Sequence, residues 1–395
     1  MTGRAFTPSP PDQSASGWGQ SLYTGAAGIA LAHIEAARAG TGNWATAHQW
    51  VTTMVREPIS ADPDTCGLHH GAPAVAFVLH TANQPAYAAV LDQLDAHVAA
   101  IVLHRLDRAH DRLEAGQPPA LAEYDLIRGL TGLGVYLLHR RADDELLRHI
   151  LRYLVRLTRP VTVDGVSLPG WWSAHGPEDR PSPHWPGGHT NLGLAHGIAG
   201  PLALLSSTFR RNIAVDGQAD AIARVCAWLD DWRIGSGAAA WWPGLISAGE
   251  YRTGTATRSE PQRPSWCYGT PGLARAQQLA GLALDDPARQ RIAERAMAGC
   301  VADQRQLAQF GDASLCHGWA GLVQVAVRMA ADSVDGETFA VSTLTGRFTA
   351  YLAQSAPATS PALLDGHAGI QLAQLAATTG NPPDSRWDAS LLLGS

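Results

Sequence analysis

Helix-like segments recur along this chain, and each one begins at a pair of small residues. In the segment GLVQVAVRMAADS, which starts at Gly321, apolar side chains return at positions i, i+3 and i+4, the spacing of one face of an α-helix. More charged segments with the same period lie between these stretches, such as ADDELLRHILRYLVRLTR from Ala142. The alternation of an apolar with a more charged helix predicts a repeated helix pair.

A glycine phrase opens each apolar segment and occurs seven times. A glycine within a helix costs about 1 kcal/mol relative to alanine, so a repeated pair indicates close backbone approach in the first turn. The second phrase carries Ala74 in place of the second glycine, and the seventh carries His367 inside its pair. The leading glycines are Gly25, Gly71, Gly129, Gly197, Gly269, Gly318 and Gly366.

Seven helix pairs can form an open solenoid or a closed ring. Neither end of the chain carries a distinct polar capping repeat, which favours closure. We therefore predict an all-α fold, an α/α toroid of seven helix hairpins with an inner and an outer helical ring. A single domain is expected over residues 21–395, after a flexible polar segment over residues 1–20.

Two stretches interrupt the helical period and predict insertions over one mouth of the ring. Residues 160–191 alternate like a β-hairpin and then become rich in Pro, Gly and Trp, and residues 235–265 have a similar composition. Long loops in compact domains are often functional. Two interpretations stay open for their tryptophans, contact with a peptide or packing beneath the loops. These tryptophans are Trp171, Trp172, Trp241 and Trp242.

Composition narrows the class of protein. The chain has 46% hydrophobic and 16% charged residues, as globular proteins do, and its net charge of −6 comes without a dense Lys/Arg cluster. Nucleic acid is therefore not an expected partner. The N-terminal segment lacks the apolar core of a signal peptide, and no run of about eighteen apolar residues follows, so we expect a cytoplasmic protein with no transmembrane segment.

Two cysteines and a histidine are the candidate metal ligands. The five cysteines are too few and too scattered for a disulfide framework. Cys267 and Cys316 occupy matching positions in consecutive repeats, and His317 follows Cys316, so the toroid would bring all three together. Zinc most readily combines thiolate and imidazole ligands. The rival reading is that buried cysteines only fill the core, as expected for Cys226 and Cys300.

A second cluster, Cys66 with His69 and His70, is a weaker rival ligand set, since these histidines can be polar residues of the rim without a metal.

Three protein ligands leave the fourth tetrahedral position of a zinc ion open, and two thiolates suit it to activate an incoming thiol. Addition of that thiol to an unsaturated amide requires a general acid, for which His196 at the matching rim position is the best candidate. Arg263 or Tyr268 could stabilise the developing oxyanion, and Asp125 could orient an imidazole. An alternative stays open for each of these two residues. His196 could be a rim histidine held by a neighbouring loop, and Asp125 could be a helix N-cap.

Four phrases carry a resemblance to a known family. NLGLAHGIAGP (191–201), RPSWCYGTPG (263–272), SLCHGWAG (314–321) and YDLIRGLTGLG (124–134) resemble the lanthipeptide cyclases, the LanC-like proteins. The resemblance implies an α/α toroid with one zinc per chain on Cys267, Cys316 and His317. It also implies His196 as acid/base residue, with Asp125, Arg263, Trp266 and Tyr268 lining the site.

We further expect Trp266, together with His70 and Arg128, which occupy the same rim position as His196, to contact the substrate.

The resemblance implies that peptide cysteines add to dehydroalanine or dehydrobutyrine to form (methyl)lanthionine rings. The chain lacks dehydratase and kinase modules, so it resembles the stand-alone cyclases of class I systems, whose precursor peptide is prepared by a separate dehydratase. A membrane-associated complex with a dehydratase and an exporter stays open. Two rival functions also remain, a non-catalytic adaptor that binds thiol peptides or glutathione, and a zinc hydrolase, which two thiolate ligands disfavour.

Overall fold

The computed structural model describes residues 17–394, and most of them are helical. The helices are, in chain order, α1 (Ala26–Arg38), α2 (Trp44–Met54), α3 (Ala72–Ala82), α4 (Ala88–Glu114), α5 (Leu121–Tyr124), α6 (Leu130–Arg140), α7 (Glu145–Leu157), α8 (Ala199–Arg210), α9 (Gln218–Asp231), α10 (Ala248–Thr253), α11 (Thr270–Ala283), α12 (Pro287–Ala302), α13 (Gln304–Leu307), α14 (Trp319–Ala331), α15 (Val341–Gln354) and α16 (His367–Thr379).

The helices that follow the glycine phrases form a closed inner ring. They contact one another in the order α1, α3, α6, α8, α11, α14 and α16, and α16 returns to α1. Most residues of α11 and α14 are buried, because neighbouring helices pack on both sides and an outer helix covers them. Helix α16, which has no outer helix after it, buries six of its thirteen residues. The predicted all-α, α/α-toroid fold is confirmed.

The outer ring consists of α2, α4, α7, α9, α12 and α15, each packed against the inner helix that precedes it. The first outer helices are connected by further contacts, of α4 with α7 and of α7 with α9. Amphipathicity explains this layer: α7 buries Leu147, Ile150, Leu151 and Leu154 while its arginines face outward.

Backbone hydrogen bonds join neighbouring repeats along the rim where the inner helices begin. Cys267 N donates to Cys316 O at 3.3 Å, and Cys316 N donates to Leu364 O at 2.9 Å. Leu363 N in turn donates to Tyr23 O at 3.1 Å, which connects the seventh repeat to the first. The residues ahead of the leading glycines therefore lie at one level of one rim.

The second glycine of each phrase permits close approach of the preceding loop. A Cβ atom on Gly272 or Gly321 would lie 2.0 or 2.1 Å from the carbonyl oxygen six residues earlier. The second phrase manages with Ala74 because its leading glycine, Gly71, has φ of 72°, whereas Gly129 is extended with φ of −92°. This left-handed conformation favours glycine and gives the loop of repeat two a different path.

The two predicted insertions form small β structures and join each other. Strands β1 (Val161–Val163) and β2 (Val166–Leu168) make the expected hairpin around Asp164 and Gly165, both with positive φ. Strand β3 (His189–Asn191) of the first insertion pairs antiparallel with β4 (Leu245–Ser247) of the second. Trp171, Trp172, Trp241 and Trp242 are buried, which favours packing beneath the loops over peptide contact.

A short segment inside the ring replaces the seventh outer helix. After α16, the described chain forms a 3-10 helix at Trp387–Leu391 instead of the seventh outer helix that the repeat pattern predicts. The segment meets inner helices from several sides: Arg275 of α11 donates to Leu393 O, and Arg328 of α14 pairs with the buried carboxylate of Asp388. Its polar groups find partners only inside the ring.

The stretch Pro85–Glu114, which consists of α4 and the three residues before it, is the one candidate membrane span among residues 17–394, by length and composition only. In this structure α4 packs against α3, α6 and α7, and its Asp95 forms an ion pair with Arg140 of α6 at 3.0 Å. Its apolar positions are those of an outer helix of the ring.

The predicted flexible segment over residues 1–20 lies mostly outside the described residues. The described part of it, Gly17 to Gln20, belongs to the folded domain, because Trp18–Gln20 form a 3-10 helix. Gln20 is buried and donates to Pro58 O at 2.9 Å.

Candidate metal centre and catalytic site

Cys267 and Cys316 lie side by side at the rim, as their matching places in repeats five and six predict. The backbone bond from Cys267 N to Cys316 O holds the two loops together. A hydrogen bond from the Cys316 thiol lowers the pKa of Cys267 to about 6. The same bond, with burial, raises the pKa of Cys316. The two sulfurs are therefore in direct contact, with Cys267 the one favoured as thiolate.

His317 is fixed by a carboxylate of its own loop. Its Nε2 atom lies 3.0 Å from Oδ2 of Asp312, and this contact raises the pKa of His317. The other carboxylate oxygen of Asp312 accepts from Ser314 N at 2.8 Å, and Ser314 Oγ accepts from His317 N at 3.3 Å. With Nε2 engaged by Asp312, Nδ1 is the nitrogen available to a metal.

Asp365 brings a carboxylate from repeat seven to the same place. Its Oδ1 atom lies 3.6 Å from Nδ1 of His317, and its Oδ2 atom accepts from the Tyr23 hydroxyl of repeat one. Ligand atoms of Cys316, His317 and Asp365 all lie within 4.8 Å of one another, so this group could hold a metal ion.

The donor set fits zinc better than a hard cation. Two cysteine sulfurs in contact, with an imidazole nitrogen beside them, are soft and intermediate ligands. Calcium and magnesium prefer an all-oxygen set, and here the described donors offer only one carboxylate.

His196 is held by Asp125, as the sequence analysis anticipates. Nδ1 of His196 lies 2.7 Å from Oδ2 of Asp125, whose side chain is fully buried. The other oxygen of Asp125 accepts from the backbone N–H groups of Arg128 and Gly129 at 2.6 and 2.8 Å. Asp125 thus holds the loop ahead of α6 and orients His196. Its alternative role as a helix N-cap is not found, because the N-cap of α6 is Gly129 and neither bonded N–H group lies within the helix.

Tyr268 lies between His196 and the cysteines. Its ring stacks on the His196 imidazole with centroids 6.3 Å apart, and its hydroxyl accepts from Asn191 Nδ2 at 3.2 Å. Burial raises the pKa of Tyr268 to about 12. The phenol stays protonated near neutral pH, and its own proton is free for another acceptor. Arg263 lies near enough for its charge to contribute to the lowered pKa of Cys267.

The three predicted substrate contacts differ in position. Arg128 is about half exposed beside the dyad, with Nε 3.9 Å from Asp125 and an ion pair to Asp179. His70 lies next to Gly17, away from the candidate metal centre, and its backbone forms an isolated β-bridge with that of Ser21. Trp266 is fully buried, and its indole N–H donates to Leu391 O at 2.9 Å. The expectation of a substrate contact is therefore wrong for Trp266, because its side chain faces the interior of the ring.

The rival ligand set of repeat two does not come together. Cys66 is buried with its thiol 3.3 Å from Ser60 O, and Nε2 of His69 lies 3.2 Å from Ser390 O. Among the described residues the only group with metal-site spacing is that of Cys316, His317 and Asp365. Cys267 lies outside this group and is connected to it through its contact with Cys316. Burial raises the pKa of Cys226 to about 12, and it raises that of Cys300, which agrees with their expected role in the core.

Known proteins match both the sequence and the fold. The family described as lanthionine synthetase C-like protein matches residues 16–392. The chain belongs to this family. The nisin biosynthesis protein NisC of Lactococcus lactis subsp. lactis is 27% identical over 266 residues, which cover 66% of this chain and 61% of that protein. The chain therefore aligns with about three fifths of this curated relative. The solved structure of a nisin cyclase superposes with a TM-score of 0.80 at 22% identity, covering 96% of this chain and 93% of that one.

The structure of this lanthionine synthetase C-like chain adds residues that the sequence analysis did not select. Asp312 and Tyr23 each contact a group of the metal centre, and Asp365 lies inside it. Asp365 stands in the ring of residues ahead of the leading glycines, so the repeat alignment already carried a signal for it. Tyr23 stands one position earlier, in line with Cys267 and Cys316, so the alignment carried a signal for it too, whereas Asp312 carried none because its contact depends on loop conformation.

Proposed function

We propose that this protein is a zinc-dependent lanthipeptide cyclase that joins cysteine thiols of a dehydrated precursor peptide to dehydroalanine or dehydrobutyrine. The observation that supports it best is that two cysteines and a histidine lie along one rim with a second, part-exposed histidine held by a buried aspartate. The family assignment and the likeness to NisC agree with it. A separate dehydratase would supply the substrate.

Cys267, Cys316 and His317 would hold the zinc. Bound there, zinc lowers the pKa of an incoming thiol, so that sulfur reaches the unsaturated carbon as a thiolate at neutral pH. Asp312 keeps the His317 ring oriented, as outer carboxylates do for metal-binding histidines. The backbone bond between Cys267 and Cys316 keeps the two sulfurs at one level.

His196 would provide the proton that completes the reaction. Sulfur forms a bond to the β carbon of the dehydro residue, and the displaced π electrons form an enolate that must gain a proton at the α carbon. With Nδ1 directed at Asp125, the Nε2 atom of His196 faces away from the dyad and can deliver that proton. The charge of Asp125 stabilises the protonated imidazole.

Tyr268 and Arg263 would stabilise the negative charge on the enolate oxygen. The hydroxyl of Tyr268 keeps its proton and lies next to both His196 and the cysteine pair. A preorganised donor of this kind typically contributes two to three orders of magnitude to a rate. Arg128, exposed beside the dyad, would contact the peptide.

The decisive experiment measures chemistry and metal separately. Purified protein is incubated with a dehydrated cysteine-containing peptide, and free thiols are counted by alkylation and mass spectrometry, since cyclisation leaves the peptide mass unchanged. We expect one zinc per chain and a loss of alkylatable thiol that disappears in Cys267→Ala. His196→Ala should keep its zinc and lose turnover.

Three results would contradict the proposal or favour its rivals. Active protein without zinc would refute the metal's role. Zinc-loaded protein that binds the peptide without consuming thiol would favour a thiol-binding adaptor. Cleavage of the peptide would favour a hydrolase.

A further inference from the structure

Asp365 holds one carboxylate oxygen ready for a cation. Its Oδ2 atom is occupied by the Tyr23 hydroxyl. Its Oδ1 atom is shielded from solvent and has no hydrogen-bond partner among residues 17–394. The side chain as a whole is 34% exposed, yet this oxygen is shielded. A shielded carboxylate oxygen without a hydrogen bond is unfavourable, so its presence beside two cysteines and the His317 imidazole favours a ligand there.

The surroundings of this oxygen match a metal ligand shell. Two ligands at about 2.0–2.3 Å from one tetrahedral ion lie roughly 3.3–3.8 Å apart. Oδ1 of Asp365 lies 3.6 Å from Nδ1 of His317, within that interval, and Cys316 Sγ completes a group within 4.8 Å. Since Asp312 occupies Nε2 of His317, the imidazole offers Nδ1, the nitrogen that faces Asp365.

We propose that Asp365 is a fourth protein ligand, which occupies the zinc through Oδ1 in the resting protein and leaves when a substrate thiol binds. The position that three ligands would leave open is then closed by an internal, displaceable carboxylate. When the thiol replaces the carboxylate, the thiol proton goes to solvent and the carboxylate stays hydrogen-bonded to Tyr23. The replacement involves no change of oxidation state.

This arrangement has a measurable consequence for affinity. If the carboxylate occupies the metal most of the time, only the small fraction of molecules with an open position can bind a thiol, and the apparent affinity falls by that fraction. Removing the carboxylate should therefore raise the affinity for any outside ligand, whether charged or neutral. A purely Coulombic effect of Asp365 would change the affinity of anions alone.

The inference rests on the metal centre of the proposed function, and its test does not depend on cyclisation. Cobalt(II)-substituted full-length protein is titrated at fixed pH with N-acetylcysteine and, separately, with neutral imidazole, while the visible absorption of cobalt is recorded. Wild type is compared with Asp365→Asn and Asp365→Ala, and with Asp335→Asn as a remote acidic control that pairs with Arg291 on the outer surface.

We expect both Asp365 variants to keep one cobalt and two sulfur ligands, and to bind thiol and imidazole about tenfold or more tightly than wild type. The absorption bands of the ligand-free protein should also shift. Tighter thiol binding with unchanged imidazole affinity would mean that Asp365 acts only through its charge, and this result would overturn the proposal. Weaker thiol binding in the variants would overturn it as well. Either result leaves the cyclase proposal standing, whereas wild type that takes up no cobalt or zinc removes the metal centre itself.

Discussion

Nδ1 of His196 lies 2.7 Å from Oδ2 of Asp125, although 71 positions separate the two residues in the sequence. Helices α6 and α8 are neighbours in the inner ring, and Leu126 N donates to Ala195 O at 3.1 Å beside this pair. The ring contact therefore sets the orientation of the imidazole, and Asp125 fixes which nitrogen faces the site.

Asp125→Asn should separate orientation from folding. The amide oxygen can still accept from the N–H groups of Arg128 and Gly129, but its NH2 group would face Nδ1 of His196 and reverse the tautomer. We expect cyclisation to slow by roughly 10²–10⁴-fold, the usual contribution of general acid catalysis, with zinc content unchanged. Turnover and bound zinc are measured on the same sample. Asp125→Ala is the contrast, since it also loses the two hydrogen bonds to the loop backbone and should cost about 1–3 kcal/mol of stability.

Tyr268→Phe tests the oxyanion donor. Burial raises the pKa of Tyr268 to about 12, so wild type retains the phenolic proton throughout the neutral range. Its removal should lower kcat by roughly 10²-fold while the zinc content and thiol affinity stay near wild type. Steady-state kinetics with a dehydrated peptide measure the effect. A variant whose kcat equals that of wild type would assign the role to Arg263 instead.

Gly321→Ala should disturb the metal centre through the backbone. The new Cβ atom would lie 2.1 Å from Leu315 O, in the residue directly before Cys316, so the loop must shift. We expect lower zinc affinity and a lower Tm. Gly346→Ala is the matched control, because it lies within α15 with open space around it and should stabilise the protein by up to about 1 kcal/mol. Chelator competition and thermal unfolding compare the two.

Asp388→Asn should weaken the segment inside the ring. Asp388 is fully buried and accepts from Arg328 Nε at 2.6 Å and from Gln324 Nε2 at 2.8 Å. Leaving the Arg328 charge without its partner should cost about 3–5 kcal/mol of unfolding free energy. Replacing Arg328 by methionine in the same protein should recover part of that loss, which denaturant unfolding of the single and double variants would reveal.

Acid should destabilise the fold through buried neutral histidines. Burial lowers the pKa of His69 to about 4, whereas an unfolded histidine titrates near 6.5. Between these values the unfolded chain takes up a proton that the folded chain refuses, so stability falls as pH falls from about 6.5 to 4 and is fully present above that window. His69→Gln keeps a donor for Ser390 O and should lessen the slope there by about 1.4 kcal/mol per pH unit, measured by unfolding at several pH values.

The sequence by itself determined the ring and its principal site. Period 3.6 and the spacing of glycines reflect helix packing, which is local and repeated, so the toroid and the pairing of Cys267 with Cys316 follow from the repeat alignment. The hairpin near Asp164 follows from the alternation of its residues instead. His196 stands at the rim position that matches His317, whereas Asp125 lies three residues ahead of its own rim position, and only the structure places it at His196.

Only the tertiary structure decided what faces inward and what meets across the ring. Trp266 belongs to the same motif as Cys267, yet its indole turns to the segment around Leu391, since an N–H buried there needs an acceptor. The segment Trp387–Leu391 replaces the seventh outer helix, and no hydrophobic period in the sequence predicts this replacement. The approach of Asp365 to His317 and Tyr23 arises because the ring closes, which brings repeats seven, six and one together. The repeat pattern predicts this closure, but which side chains then meet depends on the conformation of the loops.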